Sequence, residues 1–139
     1  LQIYRAAGCR VFGIDLDPEK CALAVSLGAE MAVDRNDPHL EQHVLQFSGG
    51  LGADAVLVTA ATPLSDPVQL AVAFCRDRGT VYFFSMAVSF TKAALGAEGV
   101  GKDVDMYIGN GYAHRHAEIS LNVLRENPKL KKVFEELYA

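Results

Sequence analysis

Residues 9–34 read CRVFGIDLDPEKCALAVSLGAEMAVD, and this stretch decides the fold class. Cys9 to Asp15 is a short apolar run that ends on an acidic residue. Asp17-Pro18 follows, where Asp17 can cap a helix and Pro18 can take its first position without losing a needed N–H. The helix should run through Leu27 and stop at Gly28, a residue type that accepts the left-handed backbone of a helix end. Glu30 to Asp34 is strand-like again. A strand, a crossover helix and a second strand in so short a span make a parallel βαβ unit.

The alternation continues in both directions. Upstream, Leu1, Ile3 and Tyr4 read as the tail of a helix closing near Gly8. Downstream, Asp37-Pro38 opens a helix with Leu40, Val44 and Phe47 on one face, closed by Ser48-Gly49-Gly50. Ala53 to Thr59 is a nearly continuous apolar strand, Asp66-Pro67 opens a helix carrying Leu70, Val72, Ala73 and Phe74, and Gly79 to Met86 is another strand. Val104 to Ile108 reads as the last strand. Two helices finish the chain, one lined by Ala117, Leu121 and Leu124, the other by Leu130, Val133, Phe134 and Leu137.

Strands apolar on both faces and joined by helices call for a doubly wound α/β fold with a mostly parallel sheet. The first visible strand follows a helix. In a Rossmann-type sheet of order 3-2-1-4-5-6, the central strand numbered one is then expected to be missing, together with the glycine-rich turn that receives a pyrophosphate. The chain begins with Leu inside an apolar pattern, so an upstream portion is expected and residues 1–139 should form one partial domain.

Thirteen Lys and Arg against 17 Asp and Glu give a formal charge of -4 without a dense basic block, which argues against nucleic acid as a partner. No apolar run approaches the ~20 residues of a membrane-spanning helix, and no export signal opens the chain. A soluble cytoplasmic protein is expected. Cys9, Cys21 and Cys75 are odd in number and lack CxxC spacing, so they read as free thiols rather than metal ligands.

Asp15 ends the first strand, where an acidic residue in a dinucleotide-binding fold accepts hydrogen bonds from the adenine-ribose hydroxyls and repels a 2′-phosphate. No Arg follows it directly. NAD is therefore expected over NADP, with Lys20 within reach of the same ribose. The bland reading makes Asp15 a strand end and Lys20 a solvated helix residue. Further along the same sheet edge, Thr59 and Ala60, followed by Ala61 and Thr62, and then Ser85, Met86 and Ala87, are small enough to wall a flat ring, or are there for tight turn packing.

His39 and His43 stand at i, i+4, as metal pairs need, but no third ligand is near and two surface histidines are the preferred reading. His114 and His116 lean to simple exposure. Gly96 to Asp105 does not match GxxxxGK[ST], because Asp103 takes the Ser/Thr place, and no GxSxG occurs. Phosphoryl transfer and nucleophile-elbow hydrolysis are excluded.

The run RAAGCRVFGIDLDPEKCALAVSLGAE, continued by GADAVLVTAATP and DRGTV, resembles the cofactor half of the medium-chain, zinc-type alcohol and polyol dehydrogenases over positions 5 to 81. That resemblance implies that Asp15 and Lys20 hold the adenine ribose. From Gly79 onward, GTVYFFSMAVSFTKAALGAEGVGKDVDMYIGNGYAHRHAE is similar to the L-erythro-3,5-diaminohexanoate dehydrogenases, NAD-dependent enzymes of lysine fermentation. This second resemblance implies that Ser85 and Met86 belong to the cofactor and substrate wall, that Asn110 and Tyr112 shape the same edge, and that the substrate is a small β-amino acid. Any zinc ligands of the alcohol dehydrogenase type would lie in an upstream catalytic domain.

Three functions stay open at this stage. The chain is the NAD-binding part of an amine dehydrogenase, the cofactor domain of an alcohol or polyol dehydrogenase, or a noncatalytic Rossmann-like module kept for assembly, with homo-oligomers compatible with each. No residue is assigned as catalytic acid or base.

Overall fold

The computed structural model describes residues 1–59, 66–84, 101–109 and 114–138. Its elements in chain order are α1 (Gln2–Ala6), β1 (Phe12–Asp15), α2 (Pro18–Ser26), β2 (Met31–Asp34), α3 (Leu40–Phe47), β3 (Ala53–Val58), α4 (Asp66–Phe74), β4 (Cys75–Phe83), β5 (Val104–Ile108), α5 (His116–Glu126) and α6 (Pro128–Tyr138). Among the described residues every strand pairing is parallel. Two compact units divide the chain, one holding Leu1–Leu40 and Tyr112–Ala139, the other Glu41–Gly111.

In the first unit β1 pairs with β2, with Phe12 opposite Met31 and Asp15 opposite Asp34. The local signals in α2 work as the sequence suggests. The Asp17 side chain accepts the Glu19 N–H at 2.9 Å, which satisfies one of the donors left open at a helix start. At the other end Gly28 takes φ +104°, a backbone that a side chain would resist, and this turn lets the Ala29 N–H reach the Ala24 carbonyl and the Gly28 N–H reach that of Val25, both at 2.9 Å. The ends of α1 and α3 close with the same pair of bonds. β1 starts at Phe12 rather than Cys9, because the Cys9 N–H is spent on the Tyr4 carbonyl to finish α1. Arg10 and Glu30 pair at 2.7 and 2.8 Å just ahead of the two strands, and the donated hydrogen bonds hold the Glu30 carboxyl below its usual range. Both side chains are exposed, so the pair adds little stability.

In the second unit the order is β3-β4-β5. α4 lays Val68, Ala71 and Val72 against Val81 and Phe83 of β4, with Cys75 completing the buried core and Val56, Val58 and Val104 packed around it. The opposite face of the sheet leaves Leu57 and Tyr107 exposed, so β3 is covered on one face although its sequence is apolar on both. β4 begins at Cys75, not Gly79. Cys75 pairs with Ala53, the next three residues swing out past Asp54 with Arg78 at φ 60°, and the regular ladder resumes as Thr80 meets Ala55. Against β5 the pairing starts at Gly79 with Val104, as the sequence suggests.

α3 starts at Leu40, two residues later than the Asp37-Pro38 signal. Asp37 instead closes a tight turn, its carboxylate accepting the His39 N–H at 2.7 Å and its carbonyl the Leu40 N–H at 3.0 Å.

One tie was not legible in advance. The Lys102 ammonium donates to the carbonyls of Ala73 and, at 2.7 Å, of Cys75, closing the exit of α4. Charged donors are favoured at a helix C-terminus. Lys102→Met is expected to lower stability by about 1–2 kcal/mol, read as a shifted urea midpoint at unchanged slope.

Among the described residues β1 and β3 each pair on one side only. α5 and α6 pack against each other, yet α5 buries no residue and Ile119, Leu121 and Phe134 remain exposed.

Candidate functional site

At the carboxyl ends of β1 and β2 the parallel register sets Asp15 beside Asp34. Gly13 sets α2 close to β1: a Cβ there would sit 3.2 Å from the Ala32 Cβ and 3.6 Å from the Ala24 Cβ, so the strand offers α2 a flat seat. The Cys21 thiol of α2 lies 3.4 Å from the Val33 carbonyl and 3.8 Å from that of Asp15. This packing places the start of α2, with exposed Lys20, beside the end of β1.

Asp15 is half-buried, and its Oδ1 accepts the Asp17 N–H at 3.0 Å. Its second oxygen has no partner among the described residues, nor has the Lys20 ammonium. A carboxylate pinned by one oxygen and open at the other is suited to accept from a vicinal diol, which fits the ribose of a nicotinamide dinucleotide. Asp34 is its register partner on β2 and repeats the arrangement, its Oδ1 accepting the Asn36 N–H at 2.7 Å. Arg35 follows, its N–H bonded to the Asp15 carbonyl at 3.0 Å. Neither Asp34 nor Arg35 could be found from spacing alone. The usable signal was that parallel pairing sets the last residues of two consecutive strands side by side.

In the second unit, Thr59 stands exposed just past β3. The ladder runs on there, the Phe84 N–H reaching the Val58 carbonyl at 2.9 Å and the Gly109 N–H that of Phe83 at 3.2 Å. Tyr82 and Phe84 stack with ring centroids 6.1 Å apart. Ala60, Ser85 and Met86, with Ala61, Thr62, Ala87, Asn110 and Tyr112, lie outside the described residues.

His39, His114 and His116 are exposed and His43 is half-buried with a partner of its own. Among the described residues no three His, Cys, Asp or Glu side chains are grouped to hold a metal ion, and Cys9, Cys21 and Cys75 are free thiols. The described residues offer zinc no set of ligands.

Comparison with known proteins places this geometry. A 63-residue stretch is 70% identical to L-erythro-3,5-diaminohexanoate dehydrogenase of Acetoanaerobium sticklandii and covers 45% of this chain and 18% of that protein. The enzyme of the same name from Fusobacterium nucleatum is 57% identical over 63 residues, with the same coverage. An alcohol dehydrogenase of Rhizobium meliloti is 36% identical over 81 residues, 58% of this chain and 23% of the relative. The matched stretches thus span less than a quarter of those relatives. Among solved structures, a zinc-binding dehydrogenase from Clostridium scindens superposes with a TM-score of 0.68 over 99% of this chain and 42% of its own, at 19% identity, which speaks for the fold. No helix among the described residues is long and apolar enough to cross a membrane. The model of the zinc-binding dehydrogenase family matches residues 1–108, and with the parallel βαβ architecture around Asp15 it establishes that this chain belongs to that family of oxidoreductases.

Proposed function

We propose that this chain is the NAD-binding portion of a longer amine dehydrogenase of the L-erythro-3,5-diaminohexanoate type, with the domain that holds the reacting carbon lying elsewhere in that protein. The observation that carries the substrate reading is the 70% identity over 63 residues to an enzyme of that name. Asp15, with an open carboxylate oxygen and no Arg directly after it, supports NAD over NADP.

The nicotinamide ring, when bound, accepts a hydride. The substrate carbon bearing the 3-amino group gives up that hydride, and its nitrogen loses a proton to solvent, leaving a carbon–nitrogen double bond. Water then adds and ammonia departs, so the organic product is the 3-keto acid. Within this chain the work is positioning: Asp15 and Lys20 hold the ribose end, and Thr59, Ala60, Ser85 and Met86 wall the ring end.

The test uses the full-length protein, offered L-erythro-3,5-diaminohexanoate or secondary alcohols with NAD or NADP. Equal amounts of NADH and ammonia are expected from the diamino acid. NADH without ammonia, formed from an alcohol, would establish the second reading, which the 36% identity to an alcohol dehydrogenase favours. A folded protein that binds neither cofactor would leave only an assembly role. The 139-residue chain by itself is expected to be inactive.

A further inference from the structure

Most of the arginines among the described residues have clear work. Arg10, Arg76 and Arg115 each face a carboxylate, at 2.7, 2.6 and 2.6 Å, while Arg5 and Arg125 donate to polar oxygens. Arg35 differs. It is half-buried, yet among the described residues its side chain has no hydrogen bond and no ion pair. Its place is nevertheless tightly set: its N–H is bonded to the Asp15 carbonyl, and the turn that carries it is closed by the Asp37 N–H on the Asp34 carbonyl at 3.1 Å and by the Asp34 carboxylate on the Asn36 N–H. The acids around it, Asp15, Asp17, Asp34 and Asp37, each commit one oxygen to a backbone N–H two residues on.

A purine held beside Asp15 gains from a planar cation laid on its face. From Gly13 to Gln46 the sequence contains no Phe, Tyr or Trp, and Arg35 is the planar side chain that directly follows the end of β2, bonded through its N–H to the Asp15 carbonyl. A guanidinium is planar, weakly hydrated and stacks on aromatic faces, which a Lys ammonium does not do. We propose that Arg35 packs its guanidinium plane on the adenine ring of the bound dinucleotide, making it a cofactor-positioning residue. The inference rests on the NAD-binding reading of this edge.

The test measures binding of NADH, ADP-ribose and reduced nicotinamide mononucleotide to the full-length protein and its Arg35→Lys and Arg35→Leu variants. Both variants are expected to weaken NADH and ADP-ribose together by about fivefold to thirtyfold, and to leave the mononucleotide, which has no adenine, unchanged. Thermal midpoints should not move, since Arg35 holds no side-chain partner whose loss would be felt. Wild-type affinity in Arg35→Lys, with loss only in Arg35→Leu, would overturn stacking in favour of plain charge on the diphosphate. Unchanged ADP-ribose binding in both variants would overturn any role for Arg35. If the folded wild-type protein binds none of the three ligands, the NAD-binding reading itself fails, which is a different result from either of these.

Discussion

Replacing Phe83 by Ala is expected to cost about 3–5 kcal/mol and to take most of the stability of the second unit with it. Phe83 is fully buried, as are Val72, Val81 and Cys75 around it, and it stands on the one strand of that ladder with partners on both sides. Truncation removes a whole ring from a core with few members, and the parallel ladder, held at Val58 and Ile108 on either side, cannot close over the gap. Urea unfolding with Phe83→Ala beside Phe83→Leu measures this. The Leu variant keeps most of the volume and should lose less than half as much. Equal and small losses would mean that the second unit does not depend on this core.

Asp15→Asn is the corresponding expectation for function. The amide oxygen can still accept the Asp17 N–H, so the turn and the thermal midpoint should survive. What disappears is the negative charge and the second acceptor that the ribose would use. Losing that charge-assisted acceptor should weaken NADH by about 1.5–3 kcal/mol, roughly tenfold to a hundredfold. NADPH should gain at the same time, because the repulsion between carboxylate and 2′-phosphate is gone. Paired titrations of the full-length protein with NADH and NADPH read both changes. If the preference between the two cofactors does not move, Asp15 is a strand end and no more.

How much could be read in advance depended on distance along the chain. Asp17-Pro18 and Gly28 announced both ends of α2 correctly because a cap involves residues only a few positions apart. The start of β4 was set four residues late because the Cys75 pairing with Ala53 is a contact between distant segments, with no local mark in CRDRG. The Asp37-Pro38 pair has the same composition as Asp17-Pro18, yet it makes a separate turn before α3, so capping chemistry alone did not tell a helix start from a turn. Apolar periodicity showed that Leu57 and Leu121 could be buried; it carried no information on what would cover them, and both are exposed.

The site divides in the same way. Asp15 was legible because it is the last residue of a strand followed by a capped helix. Asp34 and Arg35 became visible only through the register that sets Asp15 opposite Asp34. Lys102 stood in a glycine-rich segment, and its tie to the end of α4 joins residues almost thirty positions apart.

The pairing of strands next to one another in sequence bears on how quickly the molecule can form. β1 meets β2 across one helix, β3 meets β4 across one helix, and β4 meets β5 across a single connection. No ladder requires the chain to bring its two ends together first. Each loop closed is of moderate length, and because closure entropy rises only slowly with length, none of these steps stands far above the others. Either ladder can therefore nucleate without waiting for the other, and a substitution that slows protection of the β4 amides from exchange should leave that of the β2 amides unchanged.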